Sequence, residues 1–402
     1  METAMIKDIK IRKIFDSKGN YTVEVAVSDG RLTGIASSPS GTSTSKYEAV
    51  AFPEGNVDLG IRRLNALKSQ FIGIDAHEQK SIDELLHEID GMHNFSYIGG
   101  NVATALSIAS AKLAALEDSS ELYAYLYDNF TKRFARKSIP RFIGNVVGGG
   151  MHSSSNMSIQ EILVSPDSKN PMTNAYINLE IHKAVGEQLH GKGILAGVNI
   201  ENAWVTPYND IENLSIVYNT AKSIEEKFGI KIDIGIDFAA SEFYNGKYNF
   251  SGLQISKNDY IARLKQLFAT FDISYMEDPI EENDFEGFSY IASASWNKAM
   301  VVGDDLYATH YDRLLEGIKR HSTNAVLIKV NQVGTLSDAI KTAELAKRNG
   351  IEVIVSHRSG ETLDNFIAHI AVAFGAKMLK CGIRGGERIS KINEIIRISE
   401  SF

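Results

Sequence analysis

Along the second half of the chain, short apolar runs alternate with longer segments whose apolar residues fall three and four positions apart. "IKIDIGID" precedes "KNDYIARLKQLFATF", "ISYME" precedes "FEGFSYIASAS", and "AMVVGDD" precedes "THYDRLLEGIKRH". "AVLIK" then leads into "SDAIKTAELAKRNG", "IEVIVSH" into "GETLDNFIAHIAVAF", and "AKMLK" closes the series. A buried strand followed by an amphipathic helix is a parallel βα unit, and half a dozen at a spacing of roughly 25 residues predict a closed (β/α) barrel. An open doubly wound sheet would carry a glycine-rich phosphate turn between its first strand and helix. "GNVVGGGMH" has glycines without that frame and is expected to be a loop.

The first part of the chain has a different rhythm. "IRKIFDSKGNYTVEVAVSDG" alternates apolar and polar residues about Gly19-Asn20, which predicts a two-stranded hairpin. "NVATALSIASAKLAALEDSSELYAYLYDNF" has helical spacing, and the basic "TKRFARKSIPR", which contains Pro140, reads as a linker. The expected α/β organisation is a smaller α+β domain over residues 1–135 and a barrel domain over 136–402.

Composition narrows the functional classes. With 402 residues, 44% hydrophobic content and only seven prolines, the chain has the material for a large core and no disordered character. A net charge of −8 disfavours nucleic acid, whose phosphates are met by clustered Lys and Arg. "METAMIKDIKIRKIF" lacks the apolar core of a signal peptide, and no run is long enough to cross a bilayer, so no membrane partner is expected. The single cysteine, Cys381, excludes an intrachain disulfide, fits a cytoplasmic setting and receives no role.

Each apolar run ends in an ionisable residue: Asp237, Glu277, Asp304, Lys329, His357 and Lys380. Barrel strands bring such residues to one mouth. Three carboxylates there would repel one another, which a hard divalent cation relieves; oxygen ligands without Cys favour magnesium. The competing reading is that each acid caps the following helix, and that Lys329 snorkels to solvent. Beside a metal site, Lys329 is expected to have a lowered pKa and to act as a base on a carbon next to a carboxylate.

These residues, with "FDSKGNYTVEV", "PSGTSTSKYEA", "IDFAASEFY", "YMEDPIEENDFEGF", "VVGDDL", "LIKVNQVGTLSDAI", "VSHRSGETLDNFIAH" and "GGERISKINEIIRI", resemble the enolase (phosphopyruvate hydratase) family over almost the whole chain. The resemblance implies a modified (β/α)8 TIM-type barrel with atypical first strands, a homodimer or higher homo-oligomer, and a small phosphorylated acid as substrate. It implies that Asp237, Glu277 and Asp304 hold one Mg2+ and that Ser43 joins a second arriving with substrate. Lys329 would be the base, Glu161 an acidic residue on the leaving-hydroxide side, and Lys380 would face the substrate carboxylate. Arg358 and Ser359 would bind phosphate, with Gly41, His152 and His357 completing the substrate pocket.

One loop departs from the family's pattern. Where Gly-Asp-Glu-Gly-Gly is usual, this chain reads "IENAWVTP", so that Asn202 falls in the place of an acidic Glu. An amide donates a hydrogen bond but surrenders no proton. Glu201, one residue earlier, substitutes only if the loop is remodelled, and Trp204 is expected to crowd or obstruct the pocket. Lys18, Tyr21 and Ser45 are smaller departures. Three readings follow: an enolase-type lyase, a diverged paralogue acting on another acid, and a scaffold that binds ligand or partner without turnover.

Overall fold

The computed structural model describes residues 4–41, 45–150, 157–294 and 296–402. Strands β1 (Asp8–Phe15), β2 (Tyr21–Ser28) and β3 (Thr33–Ser37) form an antiparallel sheet in the order β1-β2-β3. The β1–β2 hairpin turns at Gly19, whose φ of +77° suits a residue without Cβ. Helices α1 (Val57–Leu67), α2 (Gln79–Asp90), α3 (Gly100–Glu117) and α4 (Leu122–Leu126) follow. α3 packs on β2 and β3 and is buried along nearly its whole length, which its Ala- and Ser-rich sequence permits.

The barrel begins with β4 (Arg141–Gly148) and β5 (Glu161–Pro166), then α5 (Pro171–Gly191). A small hairpin, β6 (Gly197–Val198) and β7 (Trp204–Val205), precedes α6 (Asp210–Phe228) and β8 (Ile232–Asp237). Next come β9 (Tyr248–Phe250), β10 (Leu253–Ile255), α7 (Lys257–Phe271), β11 (Ile273–Glu277), α8 (Phe285–Ser293) and β12 (Met300–Gly303). The chain ends with α9 (Tyr311–Lys319), β13 (Ala325–Ile328), α10 (Leu336–Arg348), β14 (Glu352–Ser356), α11 (Phe366–Ala373), β15 (Met378–Lys380) and α12 (Gly386–Ser399). Eight strands close in the order β15-β14-β13-β12-β11-β8-β5-β4, with β15 pairing back to β4. β5 runs antiparallel to both neighbours; the other pairings around the ring are parallel.

The six predicted strands are β8 and β11 to β15. The loop expected at "GNVVGGGMH" is corrected: Gly144 to Gly148 lie inside β4. Glycine is used there for close packing, since a Cβ on Gly144 would lie 2.4 Å from the Ile383 side chain. β5 was not anticipated; its direction is set by its antiparallel pairing with β4 and β8, which leaves no mark in its own composition.

The N-terminal sheet region meets the barrel mouth directly. Ser40 and Gly360 exchange backbone hydrogen bonds of 2.7 and 2.8 Å. A Cβ on Gly360 would come within 2.4 Å of Ser40 Oγ, so this contact requires glycine.

Candidate active site

The strand ends deliver their polar residues into one cavity at the mouth of the barrel. Its lining includes six carboxylates, Glu161, Glu201, Asp237, Asp278, Asp304 and Asp305, and three cations, Lys329, Arg358 and Lys380. Lys380, at the end of β15, lies buried with Nζ 2.8 Å from Asp237 Oδ2, 2.8 Å from Glu277 Oε1 and 3.2 Å from Glu161 Oε2. Burial opposes its charge, but these three carboxylates hold its pKa well above the usual lysine value. Glu277 also accepts a 2.6 Å hydrogen bond from Tyr275, two residues back on the same face of β11. Burial, and then the charge of Asp237, push Glu277 up to about 8.

Lys329 leaves the end of β13 and pairs with Asp304 Oδ2, while Gln332 Nε2 donates to Asp304 Oδ1 at 3.0 Å. The expected lowering of the Lys329 pKa is corrected. Burial is the largest single effect and pulls it down, but the carboxylates around it, Asp304 first and Glu277 among them, together leave the net direction upward. Asp278, next to Glu277, accepts from the backbone N–H of Asp304 at 3.1 Å and of Asp305 at 2.7 Å, fixing the turn after β12.

Arg358 is buried between the two parts of the chain. Its guanidinium donates to Glu48 through Nη1 at 2.8 Å and Nη2 at 3.2 Å, and Nη1 also donates to Asn331 at 3.1 Å. Three of its five donor hydrogens are so engaged, and Arg358 is part of the cavity lining. Arg388, fully buried on α12, donates to the carbonyls of Arg358 and Ser359 at 2.6 and 2.7 Å and fixes their loop. His357 accepts from Gly382 N–H at Nδ1, 3.4 Å away, which places the neutral ring's proton on Nε2, 3.8 Å from Glu201 Oε1. Burial, then Arg388, hold His357 well below the ordinary histidine pKa.

The structure thus gathers Asp237, Glu161, Asp304, Lys329, His357, Arg358, Ser359, Lys380 and Gly41 around one cavity, with Glu277 beside Lys380. Ser43 and His152 lie outside the described residues. Two departures flank the former: Lys18 Nζ donates to Gly41 O at 3.2 Å, and Ser45 Oγ donates to Glu282 at 2.7 Å.

Asn202 is corrected. It does not line the cavity; its amide donates outward to Glu387 Oε1 at 3.4 Å, while the preceding Glu201 is buried in the lining. Trp204 does not obstruct the cavity either. Its indole Nε1 donates to His182 O at 2.8 Å, its ring stacks on His182 with centroids 5.1 Å apart, and it fills a notch on α5 left by Gly186. Glu48, Asp278 and Asp305 received no role from sequence. Their signal was faint: Glu48 is the one carboxylate of "PSGTSTSKYEA", and the two aspartates are the second acids of "MED" and "GDD".

The donor set decides whether a magnesium ion suits this place. Its atoms are carboxylate oxygens without sulfur, and six carboxyl groups share the cavity with only three basic side chains, a donor set that suits a hard dication. Among the described residues, Asp278, Asp304 and Asp305 have oxygens all within 4.8 Å of one another, as do the donor atoms of Glu161, Glu201 and His357.

Comparison with known proteins agrees with this geometry. Residues 6–126 match the model of the "Enolase, N-terminal domain", and residues 136–402 match "Enolase, C-terminal TIM barrel domain". A protein named enolase from Picrophilus torridus is 45% identical, with 99% of each chain aligned. Enolases from Thermoplasma acidophilum and Methanothermobacter thermautotrophicus are 43% and 40% identical, covering 98% and 99% of this chain and 98% and 97% of theirs.

Proposed function

Since this chain belongs to the enolase family, we propose that its barrel mouth carries out the magnesium-dependent interconversion of 2-phosphoglycerate with phosphoenolpyruvate and water. The observation that carries this reading is the placement of Lys329 against Asp304 in the cavity that also holds Arg358 and the Lys380-bridged pair Asp237 and Glu277. A proton acceptor, an anion-binding fork and an oxygen-donor set then face a single small acid.

Asp237, Glu277 and Asp304 are the residues that would hold the first magnesium, with Ser43 contributing to a second that arrives with substrate. Held there, magnesium would supply positive charge to the developing dianion and would offset the Asp304 charge that holds the Lys329 proton. Lys329 Nζ, as the amine, takes the proton from C2. Arg358 offers its guanidinium to the phosphate, with Ser359 beside it, while Glu48 and Asn331 hold the guanidinium in place. Lys380 faces the substrate carboxylate, and Gly41, His152 and His357 line the remaining wall.

The reading as a paralogue or non-catalytic scaffold was motivated by the amide at Asn202; a carboxyl at Glu201 inside the cavity takes that motivation away. The family further supports assembly as a homodimer or higher homo-oligomer, a cytoplasmic location and a domain boundary near residue 135. No helix among the described residues is long and apolar enough to cross a membrane. Purified protein supplied with magnesium and 2-phosphoglycerate is expected to form phosphoenolpyruvate, and to stop in EDTA. No product at high enzyme concentration would overturn the proposal.

A further inference from the structure

The helix that carries the Lys329 loop begins with backbone groups that its own chain neighbours do not all satisfy. Lys329 is followed by a single turn, Val330–Gln332, then by Gly334, Thr335 and α10. An α-helix leaves the N–H groups of its first turn without partners inside the helix. In α10 the N-cap Thr335 accepts one of them, Asp338 N–H, at 3.3 Å through Oγ1. Two more are met from the N-terminal domain: Leu336 N–H donates to Ser107 Oγ on α3 at 3.0 Å, and Ser337 N–H donates to Asp83 Oδ2 on α2 at 2.9 Å. Both acceptors are buried, and Gln79 ties them together, its Nε2 donating to Asp83 Oδ1 and to Ser107 Oγ at 3.0 Å each. A carboxylate is costly to bury without such partners, and the positive end of α10 favours its charge.

The same domain grips the loop back toward Lys329. Thr104 Oγ1 on α3 donates to Gly334 O at 3.0 Å, Ala49 N–H donates to Gln332 O at 2.8 Å, and Asn101 Oδ1 accepts from Asn331 Nδ2 at 3.2 Å. Gly334 sits at φ +86°, with the Phe95 ring so near that a Cβ would lie 2.4 Å from it. Gln332 in turn donates to Asp304, the partner of Lys329. The segment from Asn331 to Ser337 is therefore held by the other domain, while the barrel strand β13 ends at Ile328, just before Lys329. A base that must reach one carbon tolerates little displacement, since a misplacement of about 1 Å can cost about a hundredfold in rate.

We infer that Ser107 and Asp83, neither of which lines the cavity, are positioning residues for Lys329: by capping α10 across the domain boundary they fix the loop that aims its amine. The assignment rests on the lyase reading proposed above. It makes docking of the N-terminal domain on α10 a condition for proton removal at C2. It also predicts a change in kcat rather than in KM, because Lys380 belongs to β15 and Arg358 follows β14 with Glu48 as its two-pronged partner.

The test pairs each variant with the same chemical change at an equally buried position on the same helix. Ser107→Ala is set beside Ser110→Ala, whose hydroxyl donates to Leu106 O within α3 at 3.0 Å, and Asp83→Asn beside Asp90→Asn, whose carboxylate accepts Tyr97 and Ile98 N–H inside the N-terminal domain. Dehydration of 2-phosphoglycerate and exchange of its C2 hydrogen with deuterated solvent are measured with magnesium, and backbone amide exchange over residues 329–340 is followed without substrate. Ser107→Ala and Asp83→Asn are expected to lower kcat for both reactions by a common factor of about ten to a hundred, with KM within about twofold of wild type and faster amide exchange in that segment. Ser110→Ala and Asp90→Asn are expected to keep kcat within about twofold even where their unfolding midpoints fall as far. Unchanged kcat in folded Ser107→Ala and Asp83→Asn, an equal loss in the two control variants, or a rise in KM at constant kcat would each overturn the assignment. A wild type that neither exchanges the C2 hydrogen nor dehydrates would instead overturn the lyase reading; the amide exchange, which needs no turnover, then still reports whether these two residues hold the segment.

Discussion

Replacing Gly186 with alanine adds one methyl group to the interior of α5 and sets two opposing effects against each other. In an exposed helix the change would stabilise by about 0.5–1 kcal/mol, because glycine loses more backbone entropy on folding. Here the new Cβ would lie 2.3 Å from Cζ2 of Trp204 and 2.8 Å from Cε2, both in a rigid ring system. Relieving that contact means moving the indole, which breaks its hydrogen bond to His182 O. Overpacking costs about 1–3 kcal/mol and the lost hydrogen bond about 0.5–1.5 kcal/mol, so the steric effect outweighs the helix gain by about 2 kcal/mol. Because Trp204 closes the turn that places Glu201 in the cavity lining, turnover should fall together with stability. The protein has two tryptophans, so emission in a Trp296→Phe background reports Trp204 alone. The expected result is a lower unfolding midpoint with red-shifted Trp204 emission. A Gly186→Ala protein more stable than its parent, with unchanged emission and turnover, would show that Trp204 is not seated against this helix.

Glu48→Gln removes the charge that holds the Arg358 fork but keeps an acceptor, so the KM for 2-phosphoglycerate should rise by about tenfold with a smaller change in kcat, and an unchanged KM would refute a positioning role. His87 on α2 lies 2.7 Å from Asp338 Oδ2 on α10, with Asp83 and Asp90 nearby, and its hydrogen bond to Asp338 raises its pKa above 6.5. A raised folded-state pKa contributes stability below about pH 6.5, and that contribution is lost as pH rises through the folded value. The stability lost in His87→Ala should therefore be larger at pH 6 than at pH 9, as read by denaturant unfolding at both; an equal loss would count against the ion pair.

Much of the site was legible because a barrel turns a one-dimensional regularity into proximity: an ionisable residue closing each apolar run becomes a ring of neighbours. Asp237, Glu277, Asp304, Lys329, His357 and Lys380 all reached the mouth for that reason. What escaped was set by side-chain direction within short, irregular segments. The inward turn of Glu201 depends on Asn199 accepting two backbone N–H groups, which no periodicity encodes. Glu48 meets Arg358 across 310 residues of chain, and the direction of β5 follows from its pairing with β4 and β8 rather than from its composition. The glycines of β4 read as a loop because their purpose, letting Ile383 and Asn199 approach, lies in distant parts of the chain. The pKa of Lys329 was misjudged for a similar reason: the carboxylates that face it, Asp304 and Glu277 among them, come from other strands, and together they more than offset burial and the neighbouring cations.

The central claim is that Lys329 removes a proton from C2 of a phosphorylated hydroxy acid. Its most direct test is deuterium incorporation at C2 of 2-phosphoglycerate in deuterated solvent with magnesium, comparing wild type with Lys329→Ala. The account predicts incorporation by wild type and none above background in the variant. Equal incorporation by a folded Lys329→Ala protein would contradict it.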